Sequence, residues 1–378
     1  MKKTLAILVA LAMVMSLAAC GGGSSAPAET TAAAETEAAA PETEAAAPAE
    51  TEAAPVETEA AETEAAAEPA AAGESTVLKI GHVEAEDRSV HKTLLNMKQK
   101  LEEQTEGRIK VEIYPNAELG GDEELCEAVA MGTIQMALPS TSVLTAYNEQ
   151  IGVLDMPYLF NDAQCAFDAL DGALGDQIDE WIAGSGFVSL GYIYNGPRST
   201  TNNKHPIYTP DDLSGLKMRV MNSPVFITMY NTLGANATPM SFSELYTGLQ
   251  QNVVDGQENP PTLIYASGFQ QVQKYLTMDA HVHNFLPILT NQAWLDSLSE
   301  GDRAILEQCC AEFVTEQREM ELADNEDIVS KLEAEGMEVN YLTDEQYQAF
   351  VDKVQPMYDE YKGKWGTEIF DLAQSFNK

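Results

Sequence analysis

Between residues 21 and 75 the chain is built almost entirely from Ala, Glu, Thr and Pro, in repeats such as Glu35-Thr36-Glu37-Ala38 and Glu42-Thr43-Glu44-Ala45. That stretch holds no aromatic residue, and no Lys or Arg balances its glutamates. It buries too little apolar surface to offset the entropy of ordering it. Scattered Pro and Thr interrupt each helix that Ala and Glu would favour. The segment reads as a tether with an end-to-end distance of about 40 Å, stretched further by its like charges. A packed core must therefore lie beyond it, and from Ser75 the composition becomes that of an ordinary globular chain.

Ahead of the tether stands an address. Lys2 and Lys3 precede an apolar run from Leu5 to Leu17, which ends in Ala18, Ala19 and Cys20. A basic start, a short apolar core and small residues before a cut site make an export signal, too short for a spanning helix. Leu17-Ala18-Ala19-Cys20 looks like a bacterial lipobox, so residues 1–20 are expected to be a lipoprotein signal ending at Cys20, which is lipidated and becomes the mature N-terminus. The lipidated cysteine would anchor the protein to the outer face of the cell membrane, through acyl chains alone.

Charge narrows the function further. The 378 residues carry 60 Asp and Glu against 21 Lys and Arg, a formal net charge of −39. Such a chain repels phosphate backbones and anionic lipid, which argues against nucleic-acid binding. Five cysteines without regular spacing exclude a disulfide framework and a zinc ribbon. Cys126 and Cys165 are expected to be buried thiols, and the adjacent Cys309 and Cys310 to stay unbridged.

The folded part alternates strands and helices. Val77 to Gly81 reads as a strand, and His91 to Glu106 as a helix carrying Leu94, Leu95, Met97 and Leu101 at helical spacing. Ile109 to Tyr114 is a second strand, Asp122 to Met131 a helix, and Ile134 to Leu138 a third strand. Strands follow at Phe187 to Tyr194, Leu216 to Met221 and His281 to Leu289. Thr209-Pro210-Asp211-Asp212 and the capping box Ser241-Phe242-Ser243-Glu244 signal helix starts. From Leu298 onward the chain is mostly helical, with a break near Gly336 to Tyr341. Repeated strand–helix–strand units place the fold in the α/β class.

Motif searching for catalysis returns little. There is no Gly-x-Gly-x-x-Gly, P-loop, nucleophile elbow or His-Glu-x-x-His. His281 and His283 share one face of a strand and would begin a metal site, but no third ligand is near in sequence, and core or cleft histidines are the plainer reading. Arginine is scarce enough to inform. In the Leu216 to Met221 strand, Leu216, Met218 and Val220 face one way and Lys217 and Arg219 the other. Arg198 follows the strand that ends at Tyr194. A guanidinium grips a carboxylate through two parallel charge-assisted hydrogen bonds, which suits recognition of organic acids. Ion pairs with the abundant surface acids are the other reading.

Several stretches resemble the extracytoplasmic solute receptors of tripartite ATP-independent periplasmic (TRAP) transporters, the DctP-type family. They are Tyr114-Pro115-Asn116-Ala117-Glu118-Leu119-Gly120-Gly121, Tyr194-Asn195-Gly196-Pro197-Arg198, Asp212-Leu213-Ser214-Gly215-Leu216-Lys217-Met218-Arg219-Val220 and Val254-Asp255-Gly256-Gln257-Glu258-Asn259-Pro260. The resemblance covers essentially all of the chain after the tether. It implies a two-domain periplasmic-binding-protein-like fold, with a ligand cleft between the domains and a long connecting helix. The expected division is 76–196 with 285–324, and 197–284 with 325–378. It implies that Arg219 holds the substrate carboxylate and that Arg198 and Asn259 line the same cleft. Asn222 and Phe242 match cleft positions of the sialic-acid-binding branch. That branch has an acidic residue where this chain has Pro139-Ser140-Thr141, which argues against sialic acid. The loop Glu84 to His91 is expected to add polar contacts to ligand hydroxyls, or else to be solvated capping sequence.

The resulting expectation is a monomeric, lipid-anchored receptor that needs no cofactor or metal. It would bind an organic acid, foremost a uronate or aldonate, otherwise a C4-dicarboxylate or other carboxylate, and deliver it to the small and large membrane subunits of a TRAP permease. A secreted hydrolase or lyase using His281 and His283 on uronic acids is the competing class, and a sensory receptor with the same site a third.

Overall fold

The computed structural model describes residues 75–378. The leader, Cys20 and the tether lie outside the described residues. Nine strands form a single mixed sheet: β1 (Thr76–Gly81), β2 (Ile109–Tyr114), β3 (Met136–Ala137), β4 (Val188–Asn202), β5 (Lys217–Val220), β6 (Asn236–Pro239), β7 (Gly256–Asn259), β8 (Tyr275–Thr290) and β9 (Glu338–Tyr341). Their order is β2-β1-β3-β8-β4-β7-β5-β6, with β9 added to β8. Two parallel triplets, β2-β1-β3 and β7-β5-β6, form the two lobes. The long antiparallel pair β4 and β8 runs through both and ties them together.

The local chemistry explains most of these elements. In β1, Leu78 and Ile80 are fully buried on one face, beneath the helix Ser89–Gln104. That helix buries Leu94, Met97 and Leu101, while Leu95, expected in the same stripe, is exposed. Leu95 stands about 100° around the helix from Leu94, so it misses the buried face. The 35-residue helix Glu300–Ala334, about 50 Å long, spans both lobes. It gives Leu306, Cys309, Cys310 and Phe313 to the core of the first lobe and Leu332 to the core of the second. Cys126, Cys165, Cys309 and Cys310 are all buried and free. Among the described residues no helix is long and apolar enough to cross a membrane.

Three expectations need correcting. The strand read at Phe187–Tyr194 does not end there but continues to Asn202, straight through Gly196 and Pro197. Register shifts between Tyr194 and Gly196 and between Arg198 and Thr200 absorb the residues that read as a stop. Gly196 has φ of +120°, and a Cβ there would lie 2.8 Å from the Cβ of Pro260. Only glycine lets the two lobes cross so closely. The strand Ile134–Leu138 shrinks to Met136–Ala137. Ser241 does cap the helix Phe242–Gln250, but its hydroxyl meets Ser243 rather than the helix backbone, so the capping box does not form. The break expected near Gly336 to Tyr341 is present, and it holds β9, paired with β8 from Tyr275 to Met278.

Candidate functional site

The carboxyl ends of the parallel strands of both lobes converge on one cavity, the usual place for ligands in open α/β sheets. Val83 and Glu84 follow β1, Ser140 follows β3, Met221 follows β5 and Asn259 ends β7. Asn195 and Arg198 come from the bulged crossing of β4, Arg219 from β5, and Asp122 and Glu123 from a helix start. Phe242 and Leu263 complete the wall. The cavity is narrow, about 20 Å³, room for about one water.

Alternation along β5 explains Arg219. Met218 and Val220 point into the core with no exposure, which turns the guanidinium to the opposite face and into the cavity. There it is 2% exposed, and among the described residues its only hydrogen-bond partner is the carbonyl of Met240, to which Nε donates at 2.9 Å. Nη1 is buried with no partner. Burial pulls its pKa down to about 10, against the attraction of Glu258. A buried cation so poorly paired costs stability unless something negative completes it.

Arg198, by contrast, is already spent. It grips Glu258 with Nε and Nη2, adds the Glu258 carbonyl at 2.7 Å, and lies over the Phe226 ring. Burial would raise the Glu258 pKa, but Arg198 and His281 outweigh it and hold it at about 2. His281 bridges Glu258 and Asp279 at 3.2 and 3.1 Å. Burial opposes its charge, yet the two acids raise its pKa to about 9. The quartet Arg198–Glu258–His281–Asp279 is thus balanced, and it fixes β4, β7 and β8 to one another. Asn259 donates to Gln257 at 2.6 Å.

A second buried cluster lies behind the first lobe's wall. Arg88 donates to Glu84 at 2.7 Å and to the Asn195 side chain at 2.9 Å through Nη1. Its Nη2 reaches Glu321 at 2.9 Å, Thr262 and the Asn195 carbonyl. One cation therefore faces two acids. Burial raises the Glu84 pKa, and Glu321 adds to the rise while Arg88 opposes it. Asp122 accepts from the Ser140 amide through Oδ2, but its Oδ1 is buried without a partner. Burial pushes Asp122 up to about 7.

The structure therefore brings Arg198, Arg219, Asn259 and Phe242 to one cavity. Asn222 is exposed and does not line it. Among the described residues no group of three or more His, Cys, Asp and Glu is arranged to hold a metal. His281 sits in the balanced quartet, whereas His283 stacks on Tyr194 and bonds its hydroxyl at 2.6 Å. Sequence reading did not single out Arg88 or Asp122. Arg88 is the N-cap and Asp122 the first residue of the helices that follow β1 and β2, and a helix start after a parallel strand is a signal that would have marked them.

The profile of the bacterial extracellular solute-binding proteins, family 7 (DctP), matches residues 80–364. The chain belongs to this family, whose members serve solute-binding in transport and are not enzymes. It is 34% identical over 275 residues to the 2,3-diketo-L-gulonate-binding periplasmic protein of Escherichia coli K12, covering 73% of this chain and 83% of that one. A TRAP periplasmic solute-binding protein from Polaromonas sp. JS666, solved with D-erythronate, superposes with a TM-score of 0.77 at 33% identity, over 79% of this chain and 98% of that one. Another from Shewanella oneidensis, solved with succinate, superposes at 0.78 with 28% identity, over 80% and 100%. This chain is thus an extracytoplasmic solute-binding protein with the two-domain fold of that class.

Proposed function

We propose that the protein is a lipid-anchored receptor that captures an organic acid between its lobes and delivers it to the small and large subunits of a TRAP permease. The observation that carries this reading is Arg219, a buried guanidinium in the cavity wall whose Nη1 has no partner among the described residues. A ligand carboxylate completes it through charge-assisted bonds in a low-dielectric site. Arg198 supports it from the paired quartet, and Asn259 and Phe242 supply polar and apolar wall. The similar proteins bind 2,3-diketo-L-gulonate, D-erythronate and succinate, so sugar acids lead and C4-dicarboxylates follow.

Closure proceeds as a hinge about β4 and β8, between units 76–196 with 285–324 and 197–284 with 325–378. Ligand bound to both walls favours the closed form, and that form docks on the permease. Anchoring rests on the lipobox at Cys20, ahead of the tether. The receptor works as a monomer, without cofactor. The test is a melting-temperature screen of refolded, ligand-stripped protein against uronates, aldonates and C4-dicarboxylates. A ligand at about 100 times its Kd adds roughly 2.7 kcal/mol. A shift with a carboxylate, absent for the matching neutral sugar, supports the reading. No shift with any acid refutes it.

A further inference from the structure

The two lobes meet through contacts of unequal strength. At one the meeting is apolar: a Cβ added at Gly152 would lie 2.9 Å from Val225 and 3.2 Å from Trp365, and Asp155, three residues on, accepts from Ser223 at 2.8 Å. At another, Arg88 donates to Thr262 at 3.1 Å and shares Glu321 with it. Parting the lobes there exposes core side chains or strips a buried cation. A third contact is different. Gly121 and Ser241 are the N-caps of the helices Asp122–Ala130 and Phe242–Gln250, one from each lobe. A Cβ added at Gly121 would lie 2.7 Å from Oγ of Ser241, so the backbone of one lobe already touches a side chain of the other. Glu124, Ser243 and Glu244 beside it are exposed, whereas Asp122, Glu123 and Phe242 line the cavity. The contact therefore stands between the cavity and solvent. Among the described residues no hydrogen bond or salt bridge crosses it: the Gly121 amide donates to Glu124, and the Ser241 hydroxyl pairs with Ser243, each within its own lobe.

A contact with no bond across it is the one that separates at least cost. Resting on the receptor reading above, we propose that Gly121 and Ser241 are the lips of the cleft: the lobes part here to admit the acid, and the missing side chain at Gly121 lets them shut over it. Both are positioning residues, since neither is in the cavity wall. The backbone does not require glycine at 121, because φ of −75° and ψ of −175° are open to any residue. Serine at a helix N-cap is preferred, so Gly121→Ser keeps its own helix intact. The added side chain meets the movable carboxylate ends of Glu123 and Glu124 on its own lobe, and Ser241 on the other.

Exchanging the two residues tests this. Titration calorimetry and stopped-flow release on the purified, ligand-stripped protein would use D-galactonate, D-erythronate, D-glucuronate and succinate. Gly121→Val should weaken the tightest of them about tenfold or more, and Gly121→Ser about threefold or more, through faster release. Melting curves without acid should match wild type. The double variant Gly121→Ser/Ser241→Gly should return to within about twofold of wild type, because the same side chain then stands on the opposite lip. Gly121→Val binding as wild type does, or a double variant no better than Gly121→Ser, overturns the proposal. A second measurement needs no acid. Gly121→Cys/Ser241→Cys, oxidised with copper phenanthroline in air, should form a disulfide, since the four cysteines of the described residues are buried. Acid bound beforehand should then leave only after reduction. Failure to cross-link overturns the proposal whether or not an acid binds. A cross-link that forms while wild type binds none of the four acids is a failure of the receptor reading instead.

Discussion

Replacing Arg219 with Met should do two opposite things at once. The guanidinium is held at 2% exposure with one backbone partner, and burial lowers its pKa from 12.5 to about 10. A tenfold loss of proton affinity corresponds to about 1.4 kcal/mol, so keeping the charge there costs the unliganded fold on the order of 3 kcal/mol. Met removes that penalty and fills similar volume, while the lost bond to the Met240 carbonyl takes back about 1–2 kcal/mol. The ligand-free variant should therefore be more stable than wild type by about 1–2 kcal/mol. Binding moves the other way. Removing one partner of a desolvated charge pair costs about 2–5 kcal/mol, a loss of roughly thirtyfold to several thousandfold in Kd. Urea denaturation of stripped protein reads the first effect and calorimetry the second. A variant that is less stable by more than about 1 kcal/mol, or that binds within threefold of wild type, would refute the reasoning.

Three further outcomes follow from the same structure. Glu258→Gln leaves Arg198 buried without its counter-charge, so stability should fall by about 3–5 kcal/mol in urea denaturation, and a loss below 1 kcal/mol would contradict the paired quartet. Asp155, which accepts from Ser142 and Ser223, is pushed by burial from 3.8 to about 7. A raised folded pKa means its contribution is complete below about pH 4 and is lost as pH rises to about 7. Asp155→Asn should therefore gain up to about 4 kcal/mol relative to wild type between pH 4 and pH 8, and a pH-independent difference would show the assignment wrong. Gly196→Ala drives a Cβ against Pro260 at a left-handed backbone position, and should lower the melting temperature by several degrees. An unchanged melting curve would mean the crossing tolerates a side chain.

Local periodicity made much of this fold legible. The bounds of β2 match the alternating Ile109–Tyr114 run, and the turn of Arg219 away from the core follows from Met218 and Val220 alone. What local pattern could not show is what depends on partners far along the chain. Arg88 draws its meaning from Asn195, Thr262 and Glu321, which lie 107 to 233 residues away. Gly196-Pro197 reads as a stop because both residues break strands locally, and only pairing with β8 carries β4 through them. Arg198 and Arg219 looked alike as scarce cations. Their difference, one spent on Glu258 and one free, is a fact of packing.

The measurement closest to the central claim is a crystal structure of the protein with its tightest-binding acid. The account predicts the ligand carboxylate within about 3 Å of the Arg219 guanidinium, including Nη1, with Arg198 still on Glu258. A carboxylate held elsewhere, with Nη1 of Arg219 still unpartnered, would contradict it.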